Sequence, residues 1–502
     1  MRYIEGENRE QVQFLSYDSL ISENHIVRVV DCFIDLLDLA KYKLKYIEPK
    51  QTGRKPYSPY LLLKLYLYGY TQKIRSSRKL EKATHETIPF IWLMHELKPD
   101  FKTISNFRKD NKACFKKIFR DFNKYCYSMK LIDLELVAID GTYIEAVNHN
   151  DKNYTKKKLN NLLNRIDKRI DAFLKNLDSQ DKDNRDSDLT LEELKAKRDH
   201  YQDLMDRANE TGSTQVSLTD EHSKMMRKEN SKADMSYNAQ IVVDAKNKLI
   251  AEQDVTNETN DHHQLAKMSK LTKESYKVDE LSVVADKGYG NGREIKECHD
   301  NNIKTYVPVQ NNEHMKGSEF STSKFIYNRE NDTYTCPNNR ELPFKRYHKT
   351  KKSNEYGSKK TCIGCKFREV CISGKKKRYR TISRSIYRDI LDEQEKINEE
   401  NMDKINLRKS TVEHPFGTIK RNMNQGYVLT KGLEMVKGEF SITCLAYNLK
   451  RVLNILGFDR MIASMIRFFN KDSDKNYHIL LNLYIYLRNF IKMFNYNLKL
   501  AI

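Results

Sequence analysis

Two short apolar runs, far apart in the chain, each stop at an aspartate. Leu136-Val137-Ala138-Ile139 leads into Asp140, followed by Gly141-Thr142. Leu281-Ser282-Val283-Val284-Ala285 leads into Asp286, followed by Lys287-Gly288-Tyr289-Gly290. Runs of this length, rich in Val, Ile and Leu, read as buried strands of an α/β fold. A carboxylate at the end of such a strand emerges at the carboxyl edge of the sheet, where α/β sites form. If the two strands lie side by side, the aspartates come within a few ångströms of each other. The plain alternative is structural, because Asp-Gly is also a common turn dipeptide.

A third acid, Glu413, lies in Thr411-Val412-Glu413-His414-Pro415-Phe416-Gly417-Thr418-Ile419-Lys420. Three clustered carboxylates repel one another, and one holds a proton unless a cation neutralises them. Mg²⁺ or Mn²⁺ suits such a site. Magnesium prefers oxygen ligands, keeps several waters and needs few carboxylates once a substrate phosphate is present. Two such ions about 4 Å apart serve the attacking and leaving oxygens of a phosphodiester displacement. Lys287 beside Asp286, and Lys420 with Arg421 after Glu413, are candidates for phosphate contact. On a continuous helix Lys420 falls two turns beyond Glu413, on the same face. Pro415 is compatible with that only in a helix's first turn.

Charge points the same way. Among 502 residues, 90 Lys and Arg oppose 69 Asp and Glu, a formal net charge of +21. Such a surplus favours a polyanionic partner, because phosphates attract cations and release their counterions. The plain alternative is a basic protein from a host that simply uses much lysine. The opening residues Met1 to Glu7 are polar, so no secretory signal is expected. No apolar run reaches the length of a membrane span. The apolar stretch 479–498 carries Arg488 and Lys492 and reads as a packed helix. The nine cysteines suit a reducing cytoplasm better than a disulfide framework.

Residues 1–130 read as a helical DNA-binding domain. Pro59 opens an apolar helix, and a second helix is expected from 103 to 130, with Ile104, Phe107, Phe115, Ile118, Phe122 and Tyr125 on one face. Its other face carries Arg108, Lys109, Lys112, Lys116, Arg120 and Lys124. Arg54, Lys55, Arg75 and Arg78 add basic loop chemistry for DNA contact, against the bland alternative of a solvated basic surface. Trp92 reads as core. Residues 131–455 read as a catalytic α/β domain with a mixed sheet. Strands are expected at 135–140, 238–243, 249–255, 281–286 and 303–308, with helices at 261–270 and 292–300 and a long helical stretch after 385. Residues 151–215 form a helical-hairpin insertion, with Leu159, Ile166, Leu194 and Leu204 among its apolar positions. Residues 311–385 form a polar, basic, cysteine-bearing insertion, and 456–502 a helical tail. Asp261-His262-His263 has the look of a metal pair, but adjacent residues on a helix point apart, which favours a structural reading.

At these residues the chain resembles the DDE transposases of bacterial insertion sequences, and among them the eleven-eighty-two group, within a broader class that carries a Tyr-x₂-Arg-x₃-Glu-x₆-Lys signature. The resemblance rests on Ile139-Asp140-Gly141-Thr142, Tyr237-Asn238-Ala239-Gln240, Ala285-Asp286-Lys287-Gly288-Tyr289 and, most specifically, Val412 to Lys420. The stretch from Tyr57 to Phe107 is similar to that family's helical N-terminal domain. The resemblance implies an RNase H-like catalytic core and a metal-binding triad of Asp140, Asp286 and Glu413. It implies two Mg²⁺ (or Mn²⁺) ions and places Lys420 against DNA near the cut. The signature arginine is Lys409 here, with Arg408 one position earlier, and the signature tyrosine is Asn406. A one-residue shift on a helix turns a side chain by roughly 100°.

Cys336, Cys362, Cys365 and Cys371 cluster within the 311–385 insertion. Cys362-Ile363-Gly364-Cys365 is a knuckle, and four thiolates can close a tetrahedral zinc site. Four reduced, unliganded thiols fit the spacing equally well. The neighbouring tract Lys375-Lys376-Lys377-Arg378-Tyr379-Arg380 reads as DNA contact or as a charged loop.

The expected function is therefore transposition. The protein would bind terminal inverted repeats, hydrolyse phosphodiesters and transfer the freed 3′ ends to target DNA. It would work on double-stranded DNA in the bacterial cytoplasm, at the nucleoid, as a homo-oligomer when bound. The rivals are a metal-dependent nuclease without strand transfer and a non-catalytic DNA-binding regulator.

Overall fold

Apolar stripes and strand runs sort this chain into two bodies. The computed structural model describes residues 16–48, 55–148, 153–178, 190–212, 215–227, 233–309, 318–372 and 378–470, with side chains 174–178 left aside. One compact unit is Met1–Met129 with Leu445–Ile502; the other is Lys130–Cys444. The division falls within the long helix Leu433–Leu456.

The first unit is helical. Pro59 opens Pro59–Thr71, as a residue without an N–H can at little cost. The single helix expected over 103–130 is instead two, Phe101–Asp110 and Lys112–Ser128. Asp100 caps the first, accepting from Lys102 and Thr103 amides at 2.9 Å. Asn111 separates them because its side chain is spent on backbone. Its amide donates to Phe107 O at 3.0 Å and its oxygen accepts from Lys45 N at 2.7 Å. All six residues of the expected apolar stripe are buried. Arg108 is not on the outer face. It is buried over the Tyr66 ring, with Nη1 3.4 Å from both Tyr70 Oη and Arg75 O. Trp92 is half-buried rather than core, with its indole N–H on Asp18 at 3.1 Å and the Arg28 guanidinium over its ring. Buried Lys64 is neutralised by Asp31 and Asp35, each at 2.7 Å. The helix Phe458–Phe469 belongs to this unit, with Tyr125 Oη 2.8 Å from Ser464 Oγ and Phe469 against Phe33. The rest of the expected tail, including 479–498, lies outside the described residues.

The second unit is mixed α/β. Its main sheet runs in the order Ile250–Thr256, Ala233–Asp244, Val137–Glu145, Leu281–Ala285, Ile303–Tyr306, and Lys224–Arg227 also pairs with Ala233–Asp244. The first three are antiparallel and the last three parallel. Helices Leu265–Tyr276, Gly292–His299, Arg388–Glu400 and Met402–Gly417 pack against it.

Between 153 and 217 the chain forms a two-stranded ribbon, Asn153–Thr155 with Gln215–Ser217, and two helices, Lys156–Asp178 and Leu191–Glu210. Thr190 and Glu193 make a capping box at the second helix, and Arg198 Nε meets Asp167 at 2.7 Å. The charged segment 179–184 lies outside the described residues.

Residues 311–385, expected as a polar interruption, contain a five-stranded antiparallel sheet. Its strands are Ile326–Asn328, Thr333–Thr335, Glu341–His348, Ser353–Tyr356 and Ile382–Ser385. They share a small core of Phe325, Tyr334, Leu342, Tyr356 and Ile382. Strands this short carry too few apolar positions for alternation to stand out from the charged residues between them. No described helix is long and apolar enough to cross a membrane.

Candidate active site

Asp140 does not end its strand. Val137–Glu145 continues past it, and Gly141 is extended backbone within the sheet rather than a turn. Gly141 is needed for space. A Cβ there would stand 2.2 Å from Gln240 Nε2 and 2.8 Å from Asp261 Oδ1. Asp286 does follow the last residue of its strand. The two strands are parallel neighbours with Ile139 opposite Ala285, so the next residue on each is an aspartate. Asp286 Oδ1 accepts from Gly288 N at 2.7 Å and starts the short turn Lys287–Tyr289.

Asp140 is poorly solvated, with 21% of its side chain exposed. Oδ1 accepts from its neighbour Gly141 N at 2.9 Å, and Oδ2 faces Arg408 Nη1 at 3.2 Å. Burial pushes the Asp140 carboxyl up to about 6; Arg408 pulls it down, and the charges of Asp286 and Asp261 add to the rise. Burial is the main reason that the charged form is disfavoured here, and the two neighbouring acids add to it.

Arg408 lies on Met402–Gly417, whose buried positions are Thr411, Val412 and Pro415. That helix packs on the strands of both aspartates. Glu413, five positions further along, is turned roughly 140° from Arg408. Its side chain is 64% exposed, 3.9 Å from the still more exposed Lys409. The helix does not stop at Pro415. It runs on into a π turn, Thr418–Asn422, closed by Met423 N to Thr418 O at 2.9 Å. The wider turn changes the phase expected for Lys420, whose Nζ donates to Thr142 Oγ1. Thr142 shares a strand face with Asp140. Backbone bonds from Glu145 N to Gly426 O and from Val428 N to Glu145 O pin the segment after the π turn to the same strand.

Asp261 is the residue that sequence reasoning set aside. The helix expected over 261–270 begins only at Leu265, so Asp261 stands on the preceding turn. Helical divergence from His262 therefore says nothing about it. Its Oδ1 accepts from Gln240 Nε2 at 2.6 Å and Asn238 Nδ2 at 2.8 Å. Burial raises its carboxyl, the two amides oppose that, and Asp286 adds to the rise. The alternation of Asn238 and Gln240 in a strand buried along most of its length was the available signal.

Two family models match the chain, a Transposase domain (DUF772) over residues 15–110 and a Transposase DDE domain over 335–453. The two matches support a DDE transposase of insertion-sequence type. Asp140 and Asp286 lie between the matched stretches; Arg408, Glu413 and Lys420 lie within the second. No curated protein matches this transposase. Among solved structures, it is similar to the chain in a cryo-EM structure of the piggyBac transposase synaptic complex with hairpin DNA. The identity is 9%, with 90% of this chain and 84% of that chain covered and a TM-score of 0.29.

The transposase presents some expected bases and hides others. Lys55, Arg78, Lys287, Lys409 and Arg421 are exposed. Arg78 lies 4.2 Å over the Phe101 ring. Arg75 is 3% exposed, packed into the helical unit, so it cannot reach a phosphate as placed. Arg54 and Lys375 to Lys377 fall outside the described residues. Cys336, Cys362, Cys365 and Cys371 line one cavity with Asn338 and Arg340. Arg340 Nη1 donates to Thr361 O and Ile363 O at 2.8 and 2.9 Å, bracing the knuckle, and Asn338 Nδ2 donates to Cys365 Sγ at 3.6 Å. Burial raises the Cys371 thiol, Arg380 opposes this, and the other three sulfurs add to it. Among the described residues, no three His, Cys, Asp or Glu side chains are placed to hold a metal ion as they stand.

Proposed function

We propose that this transposase binds the terminal inverted repeats of its element, cuts phosphodiesters at the ends and joins the freed 3′ hydroxyls to target DNA. The observation that carries this reading is the pair Asp140 and Asp286, side by side on parallel strands, with Asp140 held up to about 6 by burial first and by neighbouring acids. The strand order supports an RNase H-like core. Two neighbouring carboxylates fit a hydrated Mg²⁺ or Mn²⁺, which needs few protein oxygens when phosphate supplies others. Asp140 and Asp286 would hold the ion, with Glu413 a third acid on family resemblance; once bound, it would offset charge building on the scissile phosphate.

The chain's own part is placement. Arg408 balances Asp140 until substrate arrives and is then free to take a phosphate oxygen. Lys420, anchored beside Thr142, aims a second cation along the same strand face. Lys287, Lys409 and Arg421 stand outward where a DNA backbone can reach them, and Lys55 and Arg78 serve the helical unit likewise. Water and then a 3′ hydroxyl act as nucleophiles, with no covalent protein–DNA intermediate. Two ends are cut together, which calls for more than one copy of the chain on DNA at the bacterial nucleoid.

A strand-transfer assay tests this, using DNA that carries the element's ends, a target plasmid and Mg²⁺. Joined products are expected. Cleavage without joining would leave a nuclease, and binding with neither would leave a regulator.

The cysteine cavity is a second donor set, and we propose that its four thiols close on structural zinc. The braced Cys362–Cys365 knuckle and the four cysteines lining one cavity support this. Elemental analysis of protein purified without added metal checks it. One zinc per chain, lost in Cys362→Ser with Cys365→Ser, is expected. Metal-free protein with all nine cysteines open to a thiol reagent after denaturation but no change on adding zinc would refute it.

A further inference from the structure

Asp261 stands on a turn that is hydrogen-bonded toward Asp286 and packed against Gly141, the residue after Asp140. On one side its Oδ1 takes two amide hydrogens, from Gln240 and Asn238 at 2.6 and 2.8 Å. Gln240 is itself fixed, because its oxygen accepts from the Tyr289 hydroxyl at 2.5 Å. Asn238, Gln240 and Tyr289 are completely buried. On the other side, His262 Nδ1 lies 3.0 Å from Gly288 O, and Gly288 N donates to Asp286 at 2.7 Å. Asn291 Nδ2 also reaches His262 O at 3.4 Å. Gly141, next to Asp140, has no room for a side chain because this amide cluster occupies it.

The charge of Asp261 is what needs a reason. To accept two hydrogen bonds through one oxygen, an asparagine would serve as well. It would not add a third negative charge beside Asp140 and Asp286, which costs stability in a half-buried site. The arrangement makes sense when a cation arrives, since outer carboxylates held by hydrogen bonds raise a metal site's affinity and orient its ligands.

We propose that Asp261 is a positioning residue of the divalent-ion site, holding Asp140 and Asp286 in register through the Asn238–Gln240–Tyr289 cluster and strengthening the site's hold on its cation. This rests on the two-aspartate reading above.

The test uses the full chain and two measurements. One is Mn²⁺ binding without DNA, followed by electron paramagnetic resonance; the other is Mg²⁺ titration of end cleavage. Asp261→Asn keeps the shape and the accepting oxygen but removes the charge. It is expected to raise the half-saturating ion concentration about tenfold in both measurements, while saturating ion restores most of the maximal rate. Tyr289→Phe, which frees Gln240 without touching a charge, is expected to move the midpoint in the same direction by about two- to threefold. Should Asp261→Asn fail to fold by circular dichroism, Tyr289→Phe decides alone. An unchanged ion midpoint in the folded variants, or a lost rate that saturating ion does not restore, would overturn the proposal. Asp140→Asn in parallel separates the two failures: Asp140→Asn that binds Mn²⁺ as wild type does, or wild-type protein that neither binds Mn²⁺ nor cleaves, removes the two-aspartate reading itself, and this inference with it.

Discussion

Arg408 Nη1 stands 3.2 Å from Asp140 Oδ2, a contact between the middle of a central strand and a helix more than two hundred residues later. Burial, Asp286 and Asp261 together outweigh that guanidinium, since Asp140 is still held up to about 6. Removing Arg408 would raise the carboxyl further. Arg408→Ala is therefore expected to slow end cleavage by about 10- to 100-fold, a loss typical of a ligand's orienting partner. The loss should be largest on the acid side of neutrality and smaller as pH rises, because ionised Asp140 recovers above its raised pKa. Arg408→Lys should restore part of the rate. Cleavage profiles from pH 6 to 9 for the three proteins check this; parallel profiles for wild type and Arg408→Ala would detach the arginine from Asp140.

Gly141→Ala tests the packing between the strand and the amide cluster. A Cβ 2.2 Å from Gln240 Nε2 and 2.8 Å from Asp261 Oδ1 forces at least two fixed side chains to move. Overpacking of this kind costs about 1–3 kcal/mol. Thermal unfolding should show a lower midpoint, and the ion dependence of cleavage should weaken with it. A variant as stable as wild type would mean that the cluster is looser than its hydrogen bonds indicate.

How much of this was legible beforehand follows from the kind of signal each part leaves. The strands of Asp140 and Asp286 were legible because uninterrupted apolar runs are rare in so charged a chain. That they are parallel neighbours is a matter of long-range pairing, which no local pattern encodes. Asp261 stayed hidden because Asn238 and Gln240 reach it from another strand, and because the helix after it starts later than its polarity pattern implied. The phase of Lys420 depended on a π turn after Pro415, an extra residue that helical arithmetic cannot anticipate. Arg75 and Arg108 looked like surface bases by composition, yet both are buried, Arg108 against an aromatic ring. The sheet within 311–385 was missed since its longest strand, Glu341–His348, is mostly exposed.

The three acids carried by the resemblance are expected to behave differently in isolation. Asp140→Asn and Asp286→Asn should each lose Mn²⁺ binding in DNA-free protein, because the two residues directly follow the paired Ile139 and Ala285 of parallel strands. Glu413→Gln should keep it, since that carboxylate is 64% exposed and pairs with Lys409. All three should abolish end cleavage while leaving DNA binding within about threefold of wild type, the phosphate contacts being untouched. Mn²⁺ titration and gel-shift measurements on the same preparations separate the cases. A Glu413→Gln protein that cleaves normally would remove that residue from the site.

The last expectation concerns acid stability of the five-stranded sheet. Burial raises the Glu355 carboxyl, but hydrogen bonds from Arg346 and His348 and the charges of Lys345 and Arg346 outweigh it and hold the group at about 2. The contacts are short, with Arg346 Nε at 2.6 Å and His348 Nε2 at 3.0 Å. A carboxyl depressed in the folded state adds stability that is complete above its unfolded value, near 4.5, and is lost as pH falls toward 2. Glu355→Gln should therefore lower protection of the strands Glu341–His348 and Ser353–Tyr356 at pH 7. The gap between wild type and variant should narrow below about pH 4.5. Hydrogen exchange read by mass spectrometry at matched pH is the suitable probe, because the one tryptophan, Trp92, lies in the other unit and is blind to this sheet. A gap that stays constant from pH 7 to 3 would show that the Glu355 charge contributes nothing to holding these strands.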